Sequence, residues 1–258
     1  MLHVAIMDRM PDAVLNGHTH HWEEVGTGEP LVMLHGAAGS GRTLESHAVA
    51  LARHFRTIAI DMRGMGRSEH VRSIPPTAWI DDLVALIGHL GLESAHLYGS
   101  SLGARVALRT AIDHPAVVRS LVLDHPIIAI GGGANARLNE RFTIANVDEA
   151  RRRSYREQHG EDWEAVIESY HRIRNQPDLQ AHLDLREPSK SVTLPTLIIR
   201  GDEVDATHPL DDAIELHRNI TGSWLWIRPH TPSKVINAAP EETYELIVRF
   251  IRGLASAA

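Results

Sequence analysis

The sequence predicts an α/β protein, with a mostly parallel central sheet flanked by helices and one inserted helical cap. Three observations carry that prediction. Six short runs, "PLVMLHG", "RTIAIDMRG", "SAHLYGSS", "RSLVLDHP", "LPTLIIRGD" and "SWLWIRPH", are too short for helices and apolar on both faces, as strands of a doubly covered sheet should be. Helical spacing recurs between them, roughly over 42–54, 77–90, 101–114, 209–219 and 240–252, which argues for right-handed βαβ units. The alternation breaks once, after "LVLDHPIIAIGGGANAR", where an arginine-rich stretch shows helical spacing and no strand.

The elements follow in order. "LNGHTHHWEEVGTGEP" alternates His and Trp with polar residues before a Gly-rich turn, the pattern of an antiparallel edge hairpin. His18, His20 and His21 invite a metal reading, but alternation sends neighbours to opposite faces and no companion carboxylates are recognisable, so no metal is expected. The core is expected to comprise residues 1–130 and 191–258, with 131–190 as a helical cap or lid. Within the cap, Trp163, Val166, Ile167, Tyr170 and Ile173 can form one apolar helix face.

A chain of 258 residues can bury a substantial core as one large domain. Its net charge of -7 implies no cationic face for nucleic acid, and it has no cysteine, which excludes disulfides and thiolate chemistry. The N-terminus carries Asp8 and Arg9 inside its apolar stretch, so no signal peptide is expected, and no apolar run approaches a membrane span. A cytoplasmic protein without membrane or nucleic-acid partners is expected.

Three motifs sit at ends of expected strands. Gly99-Ser100-Ser101-Leu102-Gly103 satisfies G-x-S-x-G, in which a sharp strand-to-helix turn lifts a serine into the open. "LHGAAGSG" puts a loop of small residues after the first of the six runs, and "DMRGMGRS" puts a Gly-rich turn after the second. In this order and at these intervals the chain resembles the α/β-hydrolase fold superfamily over nearly its whole length. The resemblance implies that Ser101 is the nucleophile and that the backbone N–H groups of Ala37 and Leu102 form the oxyanion hole. His35 and the "DMRGMGRS" turn are expected to be structural supports.

Family order places the acid and then the histidine after the serine. Against the family pattern G-x-x-D-x-x-x-P, Asp205 has the right spacing to Pro209 although its gap from Gly201 is one residue longer, so Asp205 is favoured, with Asp202 as the alternative and Asp124, after "LVLD", as another. For the histidine, relatives commonly show G-H-x-x-x-x-E-x-P after the last strand; counting back from Pro240 reaches Ser233, so His230 in a longer loop is expected to be the base, with His208 as the alternative.

With this triad the expected chemistry is acyl transfer on a small-molecule ester or lactone. Carbon–carbon (diketone) hydrolysis and cofactor-free perhydrolase or haloperoxidase activity would use the same residues. A ligand-binding protein with a degraded site is the reading from another class, kept open by the displaced histidine. No cofactor is expected: "HGAAGSG" lacks a P-loop lysine, and "DMRGMGRSE" reverses the Rossmann order of glycines and acid. Eight arginines between Arg137 and Arg174 leave open whether the cap grips a carboxylate or presents a solvated face.

Overall fold

The computed structural model describes residues 11–255. Most of the N-terminal stretch in which a signal peptide is expected to be absent, Asp8 and Arg9 included, lies outside the described residues. Eight strands form one sheet. The hairpin strands β1 (Asp12–Leu15) and β2 (His18–Val25) are antiparallel, and β2 pairs antiparallel with β4 (Arg56–Ile60). From β4 onward every pairing is parallel, through β3 (Pro30–Leu34), β5 (Ala95–Ser100), β6 (Val118–Asp124), β7 (Thr196–Gly201) and β8 (Trp224–Arg228).

The period of two along each strand divides the core. On β3, Leu31 and Met33 pack into one layer while Val32 and Leu34 pack into the other, so both faces of the strand need cover. Helices α1 (Glu45–Leu51), α9 (Val235–Ala238) and α10 (Pro240–Ala255) cover the first face. Helices α2 (Ala78–His89), α3 (Leu102–Asp113) and α8 (Leu210–Asn219) cover the second. The helix expected over 42–54 is shorter than its pattern: Gly41–Leu44 is a 3₁₀ turn, and the chain leaves α1 through bonds from His54 and Phe55 to Leu51 O that bury Phe55.

Between β6 and β7 lie α4 (Gly132–Arg141), α5 (Glu149–His159), α6 (Trp163–Arg174) and α7 (Pro177–His182), with no strand. The five apolar residues read as one face of α6 are all buried. Tyr170 meets Phe142 edge-on at 5.0 Å, and Trp163 stacks with Tyr155 at 6.0 Å. These contacts join the layer over α2 and α3, so the insertion closes the side of the sheet that carries the serine turn. Among the described residues no helix is long and apolar enough to cross a membrane.

Candidate active site

β5 ends at Ser100 and α3 begins at Leu102, leaving Ser101 as the whole of the turn. Its φ of 54° and ψ of -108° belong to a region that residues with a side chain rarely occupy. Surrounding bonds hold it there: Ser101 N–H donates to Asp124 O on β6 at 3.1 Å, and Ser101 O accepts from Ala104 N and Arg105 N. The flanking glycines are required by space. A Cβ on Gly99 would overlap Gly103 O and Ala104 N of the helix, and one on Gly103 would overlap Leu34 O of β3.

Ser101 Oγ lies 2.8 Å from His208 Nε2, and His208 Nδ1 lies 2.9 Å from Asp205 Oδ2. The loop after β7 supplies both partners, three residues apart. Asp205 Oδ1 accepts the backbone N–H groups of Thr207 and His208 at 2.8 and 3.1 Å, curling the loop back on itself. Ser233 donates to Asp205 Oδ2 at 2.6 Å. Partial burial pushes the Asp205 carboxyl up, but hydrogen bonds from His208 and Ser233 outweigh it and hold Asp205 well below the usual carboxylate range. Beneath the loop, the fully buried Arg200 guanidinium donates to the carbonyls of His208, Gly201 and Glu203.

The structure therefore seats His208 against the serine, where the sequence expected His230. His230 is exposed at a turn after β8, with φ 50°, and does not line the cavity in front of Ser101. The physical reason is the tight crossing of the β8 loop over β7. Gly201 N–H donates to Ser233 O, and a Cβ on Gly201 would overlap the carbonyls of Thr231 and Pro232. With no slack to carry His230 inward, the residue that faces Asp205 is Ser233, the one reached by counting back from Pro240.

The alternative acids fall elsewhere. Asp202 is exposed and accepts from Thr231 N at 3.3 Å. Asp124 is fully buried at the end of β6 and accepts the Tyr98 hydroxyl at 2.9 Å. Its neighbour His125 packs its ring 4.7 Å from that of His208. His35 is buried between the two Gly-rich turns: Nδ1 donates to Gly36 O, and Nε2 accepts from Met62 N at 3.1 Å. Burial lowers its pKa to about 4, so it stays neutral and joins the turns.

Ala37 and Leu102 both line the cavity wall beside Ser101. As the first residue of α3, Leu102 has no acceptor for its N–H within the helix. A neighbouring cavity of about 390 Å³ in front of the serine is bounded by Ser101, His208, Thr43, Phe142, Arg141 and Lys234 among others. The hairpin histidines are dispersed, His18 against Glu69 and His21 against Asp12, and no cluster able to hold a metal occurs among the described residues.

A serine on a strained strand-to-helix turn, at the carboxyl edge of a parallel sheet and backed by histidine and aspartate, defines a nucleophile-elbow protein. The alpha/beta hydrolase fold model matches residues 29–200, and the chain belongs to that family. Over 104 residues it is 40% identical to the 2-hydroxymuconate semialdehyde hydrolase of a Pseudomonas species, covering 38% of this chain and 36% of that one. It is 36% identical over 104 residues to a putative non-heme bromoperoxidase of Mycobacterium tuberculosis, covering 40% of each. These matches span about two fifths of the length of the curated relatives. Among solved structures, a variant of the meta-cleavage product hydrolase CumD from Pseudomonas fluorescens superposes with a TM-score of 0.76 at 22% identity, covering 95% of this chain and 98% of that one. An enol-lactonase from Burkholderia xenovorans gives 0.76 at 18% identity, covering 94% and 100%.

Proposed function

We propose that the protein is a serine hydrolase that cleaves a small-molecule ester or lactone through an acyl-enzyme on Ser101. The observation that carries this reading is the continuous chain of hydrogen bonds from Ser101 Oγ through His208 to Asp205. With Asp205 ionised, its carboxylate takes the Nδ1 proton as a hydrogen bond, leaving Nε2 free to accept from the serine. Ser101 Oγ adds to the carbonyl carbon as its proton passes to His208. The N–H groups of Ala37 and Leu102 receive the oxyanion. Collapse breaks the bond to the leaving alcohol, which takes the proton from His208; water then adds by the same route and releases the acid and Ser101.

A carbon–carbon bond hydrolase is the second reading. It uses the same groups and is favoured by the 40% identity to a semialdehyde hydrolase over the matched segment. The degraded-site reading is kept open by the displaced histidine, and His208 within hydrogen-bond reach of the serine counts against it.

Fluorophosphonate labelling followed by peptide mass spectrometry tests the proposal. Labelling is expected at Ser101, absent in Ser101→Ala, slowed about 10³-fold or more in His208→Ala, and changed by less than about twofold in His230→Ala. Labelling that is indifferent to His208 overturns the assignment of the base.

A further inference from the structure

The cavity in front of Ser101 carries two cationic side chains that the acyl-transfer chemistry does not use. Lys234 enters it from the loop between β8 and α9, one residue after the Ser233 that holds Asp205. Arg141 enters from the end of α4 on the opposite, inserted side. Arg141 is exposed at the rim, whereas Lys234 is half-buried.

Among the described residues, neither cationic group is tied by a hydrogen bond or salt bridge. Other arginines of the insertion are engaged: Arg137 donates to Ala206 O, Arg151 pairs with Asp148, and Arg174 donates to Asn135 and Asn139. Among the described residues, the Lys234 ammonium makes no hydrogen bond or salt bridge, and the Arg141 guanidinium makes none either. Asp124, the carboxylate that acts on Lys234 at longer range, accepts the Tyr98 hydroxyl at Oδ2, has no hydrogen-bond partner at Oδ1, and forms no salt bridge with the lysine. A half-buried ammonium with no acceptor from the protein keeps its three donors open to an anion that enters the cavity. The ionised Asp205 also lines the cavity but is matched by hydrogen bonds from His208 and Ser233, so the two cations leave a positive balance that favours negative ligands.

We propose that Lys234, with Arg141 at the cavity mouth, binds a carboxylate on the substrate. The bond cleaved at Ser101 then belongs to the monoester of a short dicarboxylic acid, or to a lactone that bears a free carboxylate. The cavity of about 390 Å³ suits a small molecule of this kind, with the scissile carbonyl at Ser101 and the anionic end toward Lys234. Thr207, which also lines the cavity, supplies a hydroxyl for a remaining oxygen atom, whereas the Thr43 hydroxyl already donates to Ser40 O. This inference rests on the acyl-transfer reading for the reaction, but the anion site itself does not.

Two measurements separate the parts. The first compares mono-p-nitrophenyl glutarate with neutral p-nitrophenyl butyrate in the native protein, Lys234→Met, Lys234→Arg and Arg141→Met, each checked for an unchanged thermal midpoint. The ratio of kcat/KM for the acidic over the neutral ester is expected to exceed ten in the native protein. It should fall at least tenfold in Lys234→Met, mostly through KM, fall less in Arg141→Met, and be partly kept in Lys234→Arg. The second titrates glutarate into Ser101→Ala by calorimetry, with and without Lys234→Met; binding that disappears with the lysine is expected.

Hydrolysis of both esters at equal efficiency, together with glutarate binding that ignores Lys234, overturns the anion site while leaving the serine reading intact. Lysine-dependent glutarate binding without hydrolysis or labelling at Ser101 supports the site and overturns the serine reading instead.

Discussion

Ser233 donates to the same Asp205 oxygen that faces His208 Nδ1, so its hydroxyl helps fix where the histidine points. Hydrogen bonds to charged groups are worth about 1.5–3 kcal/mol. Ser233→Ala is therefore expected to lower kcat on the order of tenfold with little change in KM, and Ser233→Thr to restore much of it. A sharper test uses the family spacing itself. In the inactive His208→Ala background, Ser233→His places an imidazole beside Asp205 from the β8 side, and at least a tenfold recovery of turnover is expected; no recovery would show that the β8 loop cannot present a base to Ser101. Asp205 was legible from its spacing to Pro209. His208 was legible only as an alternative, because the i, i+3 spacing to Asp205 acquires meaning once the loop is seen to curl around Asp205 Oδ1.

At the scale of elements, the junction of β5 and α3 is set by contact distance. Gly103 lets the first turn of α3 lie against the backbone of β3, and Gly99 lets the same turn lie against β5. Gly103→Ala must push helix and strand apart, and is expected to cost roughly 3 kcal/mol or more, read as a lower urea midpoint, with labelling of Ser101 lost in parallel. Gly88→Ala is the control: a Cβ there meets open space, inside α2, and stability should hold or rise by about 0.5–1 kcal/mol. Arg137 ties α4 to the loop of Asp205 and His208 through Ala206 O. Arg137→Ala is expected to speed amide exchange in both segments while leaving the strands of the sheet protected.

Across the whole molecule, several histidines are packed in their neutral form. Burial lowers His35, His96 and His159 from 6.5 to about 4. Each keeps its full contribution to stability above pH 6.5, where folded and unfolded chains are both unprotonated at that site. As pH falls from 6.5 to about 4 the unfolded chain takes up the proton first, so stability declines across that window and levels off for these groups below it. The loss is up to about 3 kcal/mol for a fully buried histidine such as His35. Urea midpoints from pH 4 to 7 should fall steadily toward acid, and His96→Gln should flatten the slope. A stability that is constant over this range would contradict the burial of these rings.

The sequence by itself determined the sheet, the two helical layers and the serine turn. These depend on local period, on strand and helix length, and on glycines whose neighbours in space are also near in the chain or in the next strand. It also marked 131–190 as helical, since the face from Trp163 to Ile173 is written in a single 3.6-residue repeat. Only the tertiary structure decided between His230 and His208, and gave Ser233 and Lys234 their places. Those positions depend on how two loops, after β7 and after β8, cross at Gly201. That crossing is set by backbone contact between segments some thirty residues apart, for which no periodicity within either segment carries a signal.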